Sequence, residues 1–569
     1  MQAKLQTMTG KPRRWFGLIL PIALAACAVE DGPVPGGMSM SIKALSDSCG
    51  GDPNANPFTQ ISSYELVVRN GKGKTLKRLS ASKSGSKLTI ADVPAGSGLQ
   101  LSLLGKSSGS TKWFARRSGQ KIVKNTETTF DMTLMAVDAF TCISPNAGQI
   151  VNVLFPAVTP IAGGKVLITG GFTTSKTVGS KIELSQPSDE TWIFDPNTGD
   201  LRRPQNNARM SKGRAGHSAI FLPKSNRVLI VGGTEKMTID TSVGGPPTWR
   251  VSDGVGITYE VFDISTETFF TPETQQLDNA VKRVFPNLMP LSDDYVVALG
   301  GALWPAKANA DQTIYMHANL YDPTEGDNGA FVSVGAALPL NTARAGASIA
   351  FLGTTNNGGS RYLVWGGDSE SNPLHAEVFS ESSIAGGGLF DAGYKVEGDI
   401  TSIKGGLYFA TLTALGKGKD GTESTEEFLS VGGIRHDGKN WAPPRKEDVY
   451  VVSVNEAKKR IKTTRINGLD AGIFMHQANR TDDGHVVISG GFSAWDKPAS
   501  FTIREFDIAS RTFTTPGVAD KWVRRGGHAA LTLNNDCVFA FGGVENFTDL
   551  EGKAEIAASD VYCPSHLVP

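Results

Sequence analysis

The sequence predicts an all-β chain whose larger part is a repeated antiparallel sheet, and three observations carry that reading. A short β-branched or aromatic run closed by Gly-Gly recurs seven times between residues 165 and 544. Glycine makes up 65 of 569 residues, well above the average of roughly 7%, without low complexity, as many short strands joined by tight turns require. Ahead of the repeats, residues 38–136 alternate apolar and polar positions between Gly, Ser and Asn clusters, the period of half-buried strands. Lys plus Arg and Asp plus Glu both count 56. No overall field therefore steers the chain toward nucleic acid, and none is expected as a partner.

The N-terminus carries Lys4, Lys11, Arg13 and Arg14 and then an apolar run from Trp15 to Ala26. This is the layout of a secretory signal, and the run is too short to span a bilayer. It ends in Leu24-Ala25-Ala26-Cys27, which resembles the bacterial lipobox. The resemblance implies a signal peptide over 1–26, lipidation of Cys27 as the mature N-terminus, and a membrane partner reached through the lipid. Ala28, where retention signals have Asp, implies the outer membrane, with the protein facing periplasm or surface.

Residues 27–37 have the Pro/Gly-rich character of a tether. From 38 to 136 the segments YELVVRN (64–70), SKLTIADV (86–93), GLQLSLLG (98–105), KWFARR (112–117) and TTFDMTLM (128–135) read as strands. The phrase LTIADVPAGSGLQLSL resembles small immunoglobulin-like or transthyretin-like modules, which implies a β-sandwich. Over 64–124 thirteen Lys and Arg face only Glu65 and Asp92. That excess reads either as a solvated surface or as a face for anionic lipid or for the rest of the chain.

The repeats read KVLITGGF (165–172), RVLIVGGT (227–234), YVVALGGA (295–302), YLVWGGD (362–368), FLSVGGI (428–434), HVVISGGF (485–492) and VFAFGGV (538–544). Their first glycines stand at 170, 232, 300, 366, 432, 490 and 542, at spacings of 52 to 68 residues. An apolar strand with a basic or His-containing start precedes most of them, as in RAGHSAIFL (214–222) and RGGHAALTL (525–533). A strand with an aromatic and an acid follows, as in TWIFDP (191–196), YEVFDI (259–264) and SDVYCP (559–564).

In this register the units resemble the kelch repeat over residues 137–569. The resemblance implies a seven-bladed β-propeller, with six blades the alternative if loop insertions disguise the count. Each blade would be a four-stranded sheet that cannot bury both faces alone, with glycines where neighbouring backbones approach closely. The last unit is short of a fourth strand, and AFTCIS (139–144) stands ready to supply it and close the ring.

Four cysteines remain, Cys49, Cys142, Cys537 and Cys563, in a chain bound for an oxidising compartment. Placement in the repeat favours Cys537 with Cys563 and leaves Cys49 with Cys142. A Cys142 to Cys563 closure bond is the alternative.

The search for chemistry finds no nucleophile elbow, phosphate loop, HExxH helix or calcium loop, and no zinc spacing, so no metal and no cofactor are expected. DPTEGDNG (322–329) reads as a turn. Galactose oxidase-like kelch proteins hold copper with two Tyr, two His and a crosslinked Cys, a set that does not recur here; sialate epimerase-like ones need an acid/base group at the central mouth. His217, His476 and His528 stand at equivalent places, where kelch proteins use the His within its own blade. Arg214, Arg283, Arg344 and Arg525 precede inner strands and are candidates to rim the channel and bind carboxylate or sulfate, against packing onto loop carbonyls.

These readings converge on a membrane-anchored extracytoplasmic binding protein that recognises a glycan, peptide or protein through loops such as 234–256 and 416–427. A carbohydrate-active kelch enzyme, epimerase-like or oxidase-like, and a structural envelope protein are the alternatives. Enzymatic activity is not expected from the motifs.

Overall fold

The computed structural model describes residues 35–45, 57–84, 87–240, 259–270, 283–303, 313–314, 317–332, 338–368, 374–384, 388–403, 405–436, 441–500, 503–517, 524–551 and 558–569. The signal segment, Cys27 and Cys49 lie outside them. No helix among the described residues is long and apolar enough to cross a membrane.

The N-terminal module is one sheet closed on itself, not the two-sheet sandwich expected. Its strands run in the order Pro35–Ala44, Lys87–Pro94, Thr75–Ser84, Ser63–Arg69, Gly96–Ser107, Ser110–Ile122 and Glu127–Ala136. Closure falls to the first strand, which pairs antiparallel with Lys87–Pro94 and parallel with Glu127–Ala136. One strand thus satisfies two edges that a sandwich would leave open. Register shifts along Gly96–Ser107 bend the long strands enough to curl the sheet. Alternation does the rest: Leu88, Ile90, Leu101, Leu103 and Leu134 point inward and are buried. The first strand starts at Pro35, inside the segment read as tether.

Beyond the barrel each diglycine closes the second strand of a separate antiparallel sheet. The first sheet orders Ala157–Pro160, Val166–Thr169, Thr191–Asp195 and Asp200–Arg202; the second Ala215–Leu222, Arg227–Thr234, Tyr259–Asp263 and Thr268–Phe270. The third is built on Asn287–Pro290, Val296–Leu299, His317–Asp322 and Ala330–Val332, and the sixth on Gln477–Arg480, His485–Ser489, Ile503–Asp507 and Thr512–Thr514. Sheet four has three strands, Ser348–Thr354, Ser360–Trp365 and Ala376–Ser380. Its chain then leaves for the far edge of sheet five, where Lys395–Gly398 runs parallel to Arg460–Arg465. Sheet five also holds Thr411–Asp420, Glu423–Val431 and Val449–Asn455. The insert at 416–427 is simply the extended hairpin of its first two strands.

The seventh sheet joins the two ends of the repeat region. Ala529–Thr532, Val538–Phe541 and Ser559–Tyr562 are completed by Phe140–Cys142, which pairs Val561 with Thr141. A disulfide between Cys537 and Cys563, Cα atoms 4.5 Å apart, ties the second strand of that sheet to its third. Cys142 is also disulfide-bonded. The alternative bond from Cys142 to Cys563 is excluded, since Cys563 is taken, and the pairing of Cys142 with Cys49 falls on a residue outside the described ones.

The first strands of successive sheets lie side by side, and that of the seventh lies beside that of the first. The barrel rests on sheets one and seven. Val67, Leu104, Phe114 and Met135 share one apolar core with Phe194, Phe539 and Leu567. Around it Lys43 reaches Asp200, Arg116 pairs with Asp536 and donates to the Leu567 carbonyl at 2.6 Å, and Arg78 donates to the Pro569 carbonyl at 2.9 Å. Part of the basic excess of the module is therefore spent on the rest of the chain.

Candidate functional site

The site is built from one short segment per sheet, where the chain enters its first strand. At the innermost point stand Phe155, Gly216, Phe285, Gly346, Phe409, Met475 and Gly527, one from each sheet, all with φ between 52° and 66°. Each sits two residues after Val153, Arg214, Arg283, Arg344, Leu407, Ile473 or Arg525. The left-handed turn aims their backbone across to the neighbouring sheet. Gly216 N–H donates to the Phe155 carbonyl at 3.0 Å and Phe285 N–H to Gly216 at 2.7 Å; Phe409 donates to Gly346, Gly527 to Met475 and Phe155 to Gly527. Large and small side chains nearly alternate around this circle. The reason is space: a Cβ on Gly216 would press on the Phe285 ring at 3.1 Å, and one on Gly346 on Phe409 at 2.9 Å. The rings of Phe155, Phe285 and Phe409 meet edge to face at 5.4 Å and cover the centre.

On one side of this circle the preceding residues, including Leu154, Ala215, Val284, Tyr408 and Phe474, join a large apolar cluster. The segments that follow the diglycines complete it, with Phe172, Ile182, Ile239, Phe492, Trp495 and Phe547 all buried. Ile239 belongs to the insert at 234–256, whose residues 237–240 pair with Lys181–Leu184; residues 241–256 lie outside the described ones. The post-diglycine inserts thus act as a hydrophobic cover over the centre.

On the other side lies a cavity of about 310 Å³, walled by the one or two residues that follow each member of the circle. Ser218, Asn287, Ser348, Thr411, Gln477 and Ala529 form its sides and Phe285 and Phe409 its floor. Some wall groups are already engaged: Ser218 donates to the Pro286 carbonyl at 2.5 Å, Ser348 to that of Ala410, and Gln477 Nε2 to that of His528 at 3.0 Å. These bonds hold the hydroxyls and amides in place between sheets.

His217, His476 and His528 also border the cavity, yet they bond across sheets and not within their own. Nε2 of His217 lies 2.8 Å from Thr169 Oγ1 in sheet one, that of His476 2.9 Å from Thr411 in sheet five, and that of His528 2.8 Å from Ser489 in sheet six. Burial pushes His217 and His476 down to about 3, and His528 well below the ordinary value for the same reason. All three are neutral near pH 7 and serve as bolts between sheets. They are poorly suited to carry a proton in catalysis.

The four arginines do not rim an opening. Arg214, Arg283 and Arg344 are 0% exposed and Arg525 is 3% exposed. Each donates to the carbonyl of the first glycine in its own diglycine: Arg214 to Gly232 at 3.2 Å, Arg283 to Gly300 at 2.9 Å, Arg344 to Gly366 at 2.5 Å and Arg525 to Gly542 at 2.9 Å. The opposite end of the guanidinium meets the third strand, at Glu260, Asn319, Glu377 and Asp560 respectively. Burial pushes Asp560 up to about 7, while Arg525 beside it pulls the other way. A desolvated guanidinium is held by a carbonyl and by an acid, or in sheet three by the Asn319 amide oxygen, which is why these residues point into the sheets. The 322–329 segment is the turn expected, its Asp322 Oδ1 accepting from Thr324 N–H at 2.8 Å and Oγ1 at 2.7 Å.

The wall positions themselves were missed by sequence reasoning. Their signal is a small or polar residue two places after each left-handed position, visible only once the repeats are aligned on that position.

No protein-family model matches the chain, and no curated protein sequence matches it. Among solved structures, the chain is similar to a fungal alcohol oxidase of the AA5 family in complex with copper, at 12% identity and a TM-score of 0.44, over 73% of this chain and 75% of that one. The cavity here is bordered by three histidines but, among the described residues, by no tyrosine and no cysteine.

Proposed function

We propose that the chain is a lipid-anchored, extracytoplasmic, seven-bladed kelch-type propeller that binds an uncharged polar ligand, a glycan, in its central cavity. The observation that carries this reading is the cavity: hydroxyl and amide walls, an aromatic floor, neutral histidines, and the four arginines turned away from it. Sugar faces stack on aromatic rings while their hydroxyls exchange bonds with amides, and a closed floor lets a terminal residue of a glycan enter end-on. Peptide ligands with a carboxylate lose appeal, because the guanidiniums that would receive one are spent inside the sheets.

A glycan array probed with the full chain tests the reading, followed by calorimetry on any hit. Ala529→Trp, which fills the cavity from its wall, should abolish binding, and Asn287→Ala should weaken it about tenfold, the loss of one well-placed hydrogen bond. Undiminished binding by Ala529→Trp would place recognition elsewhere, and conversion of the bound glycan to a new product would replace a binding protein with an enzyme. For the anchor, Cys27→Ser should release the protein from membranes; continued attachment would reject lipidation.

A further inference from the structure

A second cluster lies outside the cavity lining, where the C-terminal turn meets the opposite end of the first strand of sheet six. Asp483 and His485 come from the turn TDDGH between the first two strands of that sheet, and His566 from the short 3-10 turn Ser565–Leu567. One donor atom from each lies within 4.8 Å of the other two. His485 Nδ1 is 3.4 Å from Asp483 Oδ1, and His566 Nδ1 faces Asp483 Oδ2. The two imidazoles stack nearly parallel, centroids 3.8 Å apart.

The far nitrogens of both rings point at carboxylates of the third strand. His485 Nε2 is 3.2 Å from Asp507 Oδ2, and His566 Nε2 is 3.6 Å from Glu505 Oε2. Those acids are held in turn: Tyr562 donates to Glu505 Oε1 at 2.9 Å and Ser510 N–H to Asp507 Oδ1 at 2.5 Å. Thr481 Oγ1 fixes Asp483 at 2.5 Å. One feature of this arrangement is costly as it stands, and another marks the place as one for a cation. His485 Nδ1 is buried without a hydrogen bond, and three carboxylates, Asp483, Glu505 and Asp507, lie against the two rings.

We propose that Asp483, His485 and His566 form a binding site for a divalent transition cation of the zinc class. A dication seated between the two Nδ1 atoms and Asp483 gives the buried nitrogen a partner and lies among the carboxylates. Two imidazoles and one carboxylate are a borderline donor set, suited to zinc over calcium or magnesium. Asp507 and Glu505 then take the Nε2 protons, the carboxylate–imidazole–metal relay that orients ligands and raises their basicity. Ligation at about 2.0–2.1 Å would require the two stacked rings to tilt so that both Nδ1 lone pairs converge on the ion. The ion would clamp the C-terminal turn, which also carries the Leu567 and Pro569 carbonyls that hold the barrel. Sequence spacing hid the site, since Asp483 and His566 are 83 residues apart.

The test is zinc titration by calorimetry of the full chain after chelator treatment. One equivalent should bind, millimolar calcium should not displace it, and His566→Gln should weaken it at least tenfold. Asp507→Asn, which leaves all three ligands in place, should weaken it about tenfold through His485 alone. Circular dichroism and an intact Cys537–Cys563 bond show that each variant is folded. No stoichiometric zinc uptake by the parent chain, or equal affinity in the parent and a folded His566→Gln variant, would overturn the proposal.

Discussion

Sheets two, three, four and seven enter their first strand through an arginine, whereas sheets one, five and six enter through Val153, Leu407 and Ile473 at the same position. The ladder partner of the second strand changes with it. Opposite Ile230, Ala298, Val364 and Ala540 the arginine sheets carry Glu260, Asn319, Glu377 and Asp560; the apolar sheets carry Trp192, Tyr450 and Arg504 opposite Ile168, Ser430 and Ile488. One backbone geometry is thus satisfied by two chemistries, each internally consistent. The repeat therefore specifies where the chain goes and leaves open what fills the space, provided that both members of a pair change together.

The sharpest way to break this comparison is to mix the chemistries. Arg214→Leu leaves Glu260 buried with only Ser211 to meet it and should cost about 3–5 kcal/mol, read as a fall in the denaturant midpoint. Adding Glu260→Tyr converts the pair to that of sheet five and should recover most of the loss. The reverse mixture, Ile473→Arg, places a guanidinium beside Arg504 where sheets two, four and seven have an acid and should cost a similar amount. Little effect from either single variant would mean that the pairs are incidental.

A smaller effect should be blind to the difference. A Cβ on Gly170 would collide with the Arg214 carbonyl and one on Gly432 with the Ile473 carbonyl, both at φ of +64°. Gly170→Ala and Gly432→Ala should therefore each cost about 1–3 kcal/mol, equally in the two kinds of neighbourhood. A marked inequality would show that the arginine also shapes the backbone.

The smallest effect concerns pH. His217 follows an arginine and His476 an apolar residue, yet burial holds both at about 3. The unfolded chain takes up protons near pH 6.5 while these folded rings do not, so stability is full above that pH and falls as pH drops from 6.5 toward 3. Between pH 6.5 and 5.5 the loss should be roughly 1 kcal/mol per histidine. His217→Gln and His476→Gln should flatten the acid slope alike; a larger change for His217 would assign its depression to Arg214.

Much of this was legible beforehand for local reasons. Seven diglycines could be counted because close backbone approach excludes every side chain there, so selection writes the same letters each time. The missing fourth strand of the last unit named Phe140–Cys142 as its completion, and strand adjacency named Cys537 with Cys563. The arginines were found, and of the two readings offered the packing onto carbonyls is the one they follow, while their third-strand partners, 33 to 46 residues away, could not be named from spacing. The histidines likewise were found, with their bonds assigned to the wrong sheet.

By itself the sequence determined the strand-rich class, the repeat and its register, since period, turn residues and steric exclusion act between near neighbours. Only the tertiary structure decided that the N-terminal module closes as a barrel, because Pro35–Ala44 must bond two distant edges at once. It also decided that the centre is covered on one side and open as a cavity on the other, and that Asp483, His485 and His566 meet. Those outcomes depend on which segments arrive at the same place, and no spacing along the chain encodes that.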